Sequence, residues 1–318
     1  MQVCLVTGSL GFLGAHFVAE LFDAWPDCQI ISYDAEFYSS DRARIPTDIW
    51  TSDRFEHVTA NVGNQSRVLD VLTRRGVTHV FHFAAQTHVT RSFEVPTEYV
   101  QDNILATHAL LEACRLHAKL TCLFVMSTDE VYGDGQNLKG EDAPFHPTSP
   151  YSASKAAADL LCQAYARCYR MPIVGIRGNN IYGPMQHPEK LIPRFISLMS
   201  KGEDLTVEGS GLQTRNFVHV HDMCRAILIV VERGVFGQMY NVSGDTVVSV
   251  LDLAKMLLAA QPTCPSQVVH VTDRLYNDDA YNIDDGLLRG LGWAPQKDFD
   301  KEIIALLINA IAEGTNAL

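Results

Sequence analysis

The chain has 318 residues, 47% of them hydrophobic and 19% charged, with a mean hydropathy near zero and 13 prolines spread along its length. That is enough apolar residue for one large core or two moderate ones, and it excludes disordered, fibrous and small disulfide-stapled classes. With 25 Lys and Arg against 37 Asp and Glu the net charge is −12, which argues against a general role on nucleic acid or an anionic membrane.

In chain order, short β-branched runs alternate with longer helical patterns through the first half. Strands are predicted at 2–7, 29–33, 55–60, 79–83, 121–127 and 173–177. Helices at 103–116 and 152–169 carry apolar residues near helical spacing. This βαβ alternation predicts an α/β fold with a doubly wound parallel sheet. Beyond Arg177 the pattern loosens into Gly-, Pro- and Asn-rich loops, short strands near 216–220 and 238–242, and a helix at 249–260. The expected organisation is a domain over 1–176, completed by a segment near 213–248, and a smaller α/β substrate-binding region drawn mostly from 177–318. A cleft between them is the place for chemistry. The eight cysteines form no C-x-x-C pair and several sit in apolar runs, so reduced structural thiols in a cytoplasmic compartment are expected. No secretory signal is visible, and no apolar run reaches the roughly eighteen residues of a membrane span.

The first strand runs into Gly8-Ser9-Leu10-Gly11-Phe12-Leu13-Gly14 and then a helix. Glycines so spaced permit a tight turn, close approach of the backbone to a pyrophosphate, and a helix N-terminus facing the phosphates, as in a Rossmann-like domain. Asp34, twenty residues past Gly14 at the end of the second strand, is placed to accept from an adenosine ribose, which favours NAD over NADP. Tyr151 and Lys155 share one helix face at i, i+4. The ammonium there is expected to stabilise a phenolate that acts as a base. Thr128-Asp129-Glu130 follows the fifth strand, and its two carboxyls match a reaction that asks for one acid and one base. His219 and His221 alternate along a strand, but no metal is expected. Asp222 is read instead as the cap of the next helix.

With these motifs the chain resembles the extended short-chain dehydrogenase/reductases, in the branch of NDP-glucose 4,6-dehydratases, from Val3 to about Trp293. The narrowing match is Met126-Ser127-Thr128-Asp129-Glu130-Val131-Tyr132-Gly133. Ala84-Ala85-Gln86-Thr87-His88, Arg177-Gly178-Asn179-Asn180-Ile181-Tyr182-Gly183-Pro184 and Pro188-Glu189-Lys190 add to it.

The resemblance implies an NAD-dependent enzyme with internal hydride recycling. Thr128, Asp129, Glu130, Tyr151 and Lys155 would be catalytic, with Asp129 as acid and Glu130 as base. Gly8, Gly11, Phe12, Leu13, Gly14, Asp34, Asn61, Val62, Ala84, Ala85, Tyr151 and Lys155 would hold NAD. His88 and Asn180 would face the sugar, and Lys190, Arg215, Asn241 and Arg274 the diphosphate. It also implies a homodimer built on a four-helix bundle from 103–116 and 152–169. UDP-glucose is expected ahead of dTDP-glucose. The alternatives are a UDP-sugar 4-epimerase or decarboxylase, whose members generally lack the middle Asp, and a non-enzymatic NAD-binding regulator. Asn61, Thr90 and Ala280 depart from the family pattern.

Overall fold

The computed structural model describes residues 2–312. Strand β1 (Val3–Thr7) runs into helix α1 (Phe12–Ala24) and β2 (Gln29–Asp34), and α2 (Thr47–Trp50), β3 (Phe55–Thr59), α3 (Gln65–Arg75) and β4 (His79–His82) follow. Next come α4 (Val89–Glu94), α5 (Pro96–Tyr99), α6 (Ala106–Leu116), β5 (Cys122–Thr128), β6 (Gly135–Lys139), α7 (Pro150–Tyr169) and β7 (Ile173–Gly178). The chain continues through β8 (Asn180–Tyr182), α8 (Leu191–Ser200), β9 (Leu205–Glu208), β10 (Thr214–His219), α9 (Val220–Arg233) and β11 (Met239–Val242). It closes with β12 (Thr246–Ser249), α10 (Val250–Ala260), β13 (Val268–Val271), β14 (Tyr281–Ile283), α11 (Gly286–Gly290) and α12 (Phe299–Ala312).

Seven strands form one parallel sheet in the order β11-β7-β5-β4-β1-β2-β3. Alternate side chains of β1 serve its two faces. Cys4 and Val6 pack with Phe17 and Leu21 of α1 and Ile227 of α9, whereas Val3 and Leu5 pack with Leu72 of α3 and Leu110 of α6. Helices therefore cover both sides, and the chain is the α/β, doubly wound, Rossmann-like fold expected. The strand order reverses between β1 and β4, and loops leaving the carboxyl ends there part to form a crevice.

A smaller lobe lies beyond β7. β12, β10 and β8 make a three-stranded sheet, and Phe195, Leu205, Leu253, Leu257, Ile303 and Leu307 lie in a separate core. The polypeptide crosses back as β11 pairs with β7 in the main sheet, and again where Leu288 of α11 and Trp293 join the core of that sheet.

Two local expectations change. The helix expected to begin at 103 is preceded by a π-helical turn, Val100–Leu105. Within it the buried Asn103 side chain holds both backbone groups of Gln86, accepting from its N at 2.7 Å and donating to its O at 3.0 Å, which binds the turn to the loop after β4. Asp222 does not cap α9. His219 does so, accepting from the His221 N–H, and Asp222 in the first turn accepts from the backbone N of Gln296 and Lys297, both at 3.0 Å. Three-dimensional pairing gives those otherwise unpaired donors to the nearest buried carboxylate. Among the described residues no helix is long and apolar enough to cross a membrane, and all eight cysteines are free.

Candidate active site

At the crevice between β1 and β4, Gly8 sits at φ +66, a conformation L side chains rarely adopt. A Cβ there would lie 2.6 Å from the backbone N of Ala84 on the opposing loop, and one at Gly14 would collide with the carbonyl of Gly8. These two positions keep the β1–α1 turn tight and leave Gly11 at the N-cap of α1 with a bare backbone facing the cavity. Donors at a helix N-terminus beside a surface without side chains fit a pyrophosphate.

Asp34, the last residue of β2, is 6% exposed. It accepts from Leu10 N at 2.9 Å and from Glu36 N and Ser40 Oγ at 2.8 Å. Its carboxylate is thus fixed in place with acceptor capacity left toward the cleft. One cavity brings together Gly8, Gly11, Phe12, Leu13, Gly14, Asp34, Asn61, Val62, Ala84, Ala85, Tyr151 and Lys155. Asn61 accepts from Gly63 N at 2.7 Å through its side-chain oxygen, which fixes the amide at the cavity wall with its NH2 and a second lone pair left for a ligand.

The same cavity runs to the end of β5, where Thr128, Asp129 and Glu130 meet Tyr151 on α7. Thr128 caps a single 3-10 turn over Asp129–Tyr132, which swings both carboxyls away from the strand axis. Asp129 accepts from Thr128 Oγ1 at 3.0 Å and from Asn179 Nδ2 at 2.5 Å, while the Oε2 of Glu130 is buried with no partner. Burial pushes Asp129 up to about 6 against the pull of those two donors. Burial and the neighbouring Asp129 push Glu130 up to about 8. Burial thus favours the neutral form of both carboxyls over that of an exposed carboxylate. Two side-chain donors converge on Asp129, whereas Glu130 Oε2 has none.

Lys155 Nζ donates to the carbonyl of Met126 at 2.7 Å, which leaves two of its three N–H groups for the cavity it shares with Tyr151. Tyr151 is pushed well above its ordinary value by burial and by the facing Glu130. Shared helix face brings the two side chains into one cavity, and the Met126 carbonyl of β5 anchors the ammonium there. Burial also lowers Lys155 itself.

On the sugar side, Asn180 and Lys190 line the cavity, and Lys190 Nζ donates to Thr87 O at 2.8 Å. Arg215 and Arg274 lie close enough to draw Glu130 downward. Arg215 donates to the carbonyls of Thr214 and Asp278, and Arg274 keeps a buried Nε without a protein partner, an orphaned donor that suits an anionic ligand. One expected substrate residue, Asn241, does other work. Asn241 is fully buried in β11, accepting from Tyr132 Oη at 2.8 Å and donating to Lys139 O at 3.1 Å. Its strand position turns it into the sheet edge rather than the cleft. His88 caps α4, its Nδ1 accepting from Arg91 N at 3.2 Å, because the loop after β4 must end a turn before the helix begins.

Ala280 is buried, its N–H donating to Asp134 at 3.1 Å. His219 and His221 stack at 5.3 Å, yet among the described residues no three His, Cys, Asp or Glu side chains form a metal-binding group. Sequence reasoning missed two contacts. One is Asn179, whose only local signal is its place beside Asn180. The other is the buried ion pair of Arg177 with Asp159, Nε to Oδ2 at 2.8 Å, which also ties in Tyr132.

Comparison with known proteins gives a consistent picture. A family model described as NAD dependent epimerase/dehydratase family matches residues 4–243. A trifunctional UDP-glucose 4,6-dehydratase/3,5-epimerase/reductase of Arabidopsis thaliana is 36% identical over 93% of this chain and 45% of its own, so the chain spans less than half that relative's length. The human dTDP-D-glucose 4,6-dehydratase is 36% identical over 92% of this chain and 85% of its own. Among solved structures, dTDP-glucose 4,6-dehydratase DesIV of Streptomyces venezuelae, with NAD bound, superposes with a TM-score of 0.91. It is 34% identical and covers 98% of this chain and 97% of its own.

Proposed function

The chain belongs to the NAD dependent epimerase/dehydratase family, and from that premise we propose that it is a 4,6-dehydratase of a nucleoside-diphosphate glucose, an NAD-dependent hydro-lyase that yields the 4-keto-6-deoxy sugar. The observation that carries this reading is the pair of adjacent buried carboxyls, Asp129 and Glu130, placed beside Tyr151 in one cleft. Elimination of water across C5 and C6 needs one proton acceptor and one donor at once, and a singly protonated pair supplies both. An epimerase has no use for the second carboxyl.

When bound, NAD supplies a hydride acceptor that returns the hydride within the same turnover. Tyr151 takes the proton from O4 of the sugar, with Thr128 orienting that hydroxyl and Lys155 the cation that stabilises the phenolate. The 4-ketone acidifies C5. One carboxyl of the Asp129–Glu130 pair removes the C5 proton while the other protonates the leaving C6 hydroxyl.

NAD is favoured over NADP by Asp34 and by the state of the nearby cations. Arg42 pairs with Glu36 at 2.6 Å, and Arg44 is spent on the carbonyls of Leu10, Ser39 and Met185. Residues 1–176, completed by β11, serve the cofactor, and the later residues, among them Arg215 and Arg274, serve the diphosphate. Exposed Leu105, Leu116, Leu160 and Tyr169 on α6, α7 and the turn before them support a homodimer through a four-helix bundle. Eight free thiols support a reducing, cytoplasmic setting. UDP-glucose is the favoured substrate, by likeness to the plant enzymes. The test is product analysis with UDP-glucose and dTDP-glucose under identical conditions. A 4-keto-6-deoxy product from either supports the reaction, and a 4-epimer as the main product overturns it. A kcat/KM about tenfold higher for dTDP-glucose would overturn the choice of base alone.

A further inference from the structure

We propose that Asn179 is a positioning residue for the elimination: its side-chain amide fixes Asp129 as the hydrogen-bond acceptor of the carboxyl pair and so leaves the shared proton on Glu130. The inference rests on the reading that this pair performs the elimination.

Strand pairing sets the geometry. β5 and β7 run parallel with Thr128 opposite Gly178, so the next residue on each strand, Asp129 and Asn179, comes level just past the sheet. The backbone N of Asn179 donates to Val242 O of β11 at 3.0 Å, which anchors the residue from the other side. Both side chains are buried, at 3% and 2% exposure, and Nδ2 lies 2.5 Å from Oδ2.

An amide can present either a donor or an acceptor. Here the donor is turned to Asp129, while Asn179 Oδ1 is buried with no partner. That orientation gives the ionised form of Asp129 a donor that strengthens with its charge. Glu130 receives no matching donor at Oε2. The other charged or titratable groups facing the pair are Tyr151, Lys190, Arg215, Arg274, Asp278 and Tyr281. The two arginines pull Glu130 down and Arg215 also pulls Asp129 down, whereas Asp278 pushes Glu130 up. None of these is on the strand that carries Asn179, so replacing Asn179 leaves them as a constant background.

The test is the pH profile of kcat/KM for Asn179→Ala and Asn179→Ser against the wild type, joined to a carboxyl titration of the substrate-free protein by 13C NMR. Asp129→Asn identifies the resonance. Loss of one hydrogen bond to a charged acceptor predicts that the acidic limb, and the Asp129 resonance with it, moves up by about one to two pH units. A structural role alone would lower kcat/KM evenly at every pH. An acidic limb and a resonance that stay within about 0.3 unit of wild type overturn the proposal. Asn179→Ser keeps a small polar side chain should the alanine variant fold poorly. The NMR titration needs no substrate, so it decides the role of Asn179 even if wild-type protein makes no 4-keto sugar, a result that would instead refute the proposed activity.

Discussion

The carboxyl pair makes the pH dependence of turnover quantitative. With Asp129 at about 6 and Glu130 at about 8, the singly protonated pair dominates near pH 7. Dehydration needs that form, since a doubly protonated pair has no base and a doubly ionised pair no acid. kcat/KM reports the free enzyme, so it should trace a bell with limbs at those two values, falling about ninefold from near pH 7 to near pH 5 and by a similar factor toward pH 9.

The assay is chromatographic quantification of 4-keto product at low substrate across that range. Glu130→Gln should remove the alkaline limb along with most of the activity. A profile flat between pH 5 and 9 would refute the reasoning. The same shifts act on folding. Both carboxyls bind protons more tightly folded than unfolded, so their joint contribution to stability is fully present below the unfolded carboxyl range and is lost as pH rises through about 8. Chemical denaturation of ligand-free protein should show the Asp129→Asn, Glu130→Gln double variant losing less stability than wild type over that interval.

Three further outcomes follow from single contacts. Asp129→Asn keeps shape and removes a titrating group, so elimination should slow roughly a hundredfold or more while oxidation at C4 persists. Tyr151→Phe should stop the first hydride transfer, and equal water release by Asp129→Asn and wild type would contradict the assignment. Gly14→Val places a side chain on the Gly8 carbonyl, so protein released by acid or heat should carry little NAD, and full cofactor content would contradict the cradle. Asp159→Ala strands the buried Arg177 guanidinium, which should cost about 3–5 kcal/mol and, in a chain this long, lower Tm by about 5–7 °C. A shift under roughly 2 °C would contradict it.

Local pattern made part of this legible beforehand. The glycine turn, the acidic end of β2 and the carboxyl pair after β5 are each defined within a few residues, and the strand–helix alternation that arranges them follows from hydrophobic period. What stayed hidden depends on register between distant strands. Asn179 meets Asp129 because β7 pairs with β5, and Asn241 turns away from the cleft because β11 joins the edge beside β7. Arg177 reaches Asp159 from a neighbouring strand rather than along one helix face. The Met126 carbonyl that Lys155 meets escaped for a related reason, since a helical i, i+4 rule sees Tyr151 but not a carbonyl on β5. His219 displaced Asp222 as a cap because a distant loop, 296–297, presented two unpaired donors.

The central claim is that one hydride leaves C4 and returns to C6 within a single turnover. Substrate carrying deuterium at C4 of the glucosyl ring tests it in one measurement, read by mass spectrometry and NMR of the product. The account predicts a 4-keto-6-deoxy sugar with that deuterium in its C6 methyl group and no net NADH in solution. Deuterium restored to C4, or accumulating in free NADH at about one per turnover, would contradict it.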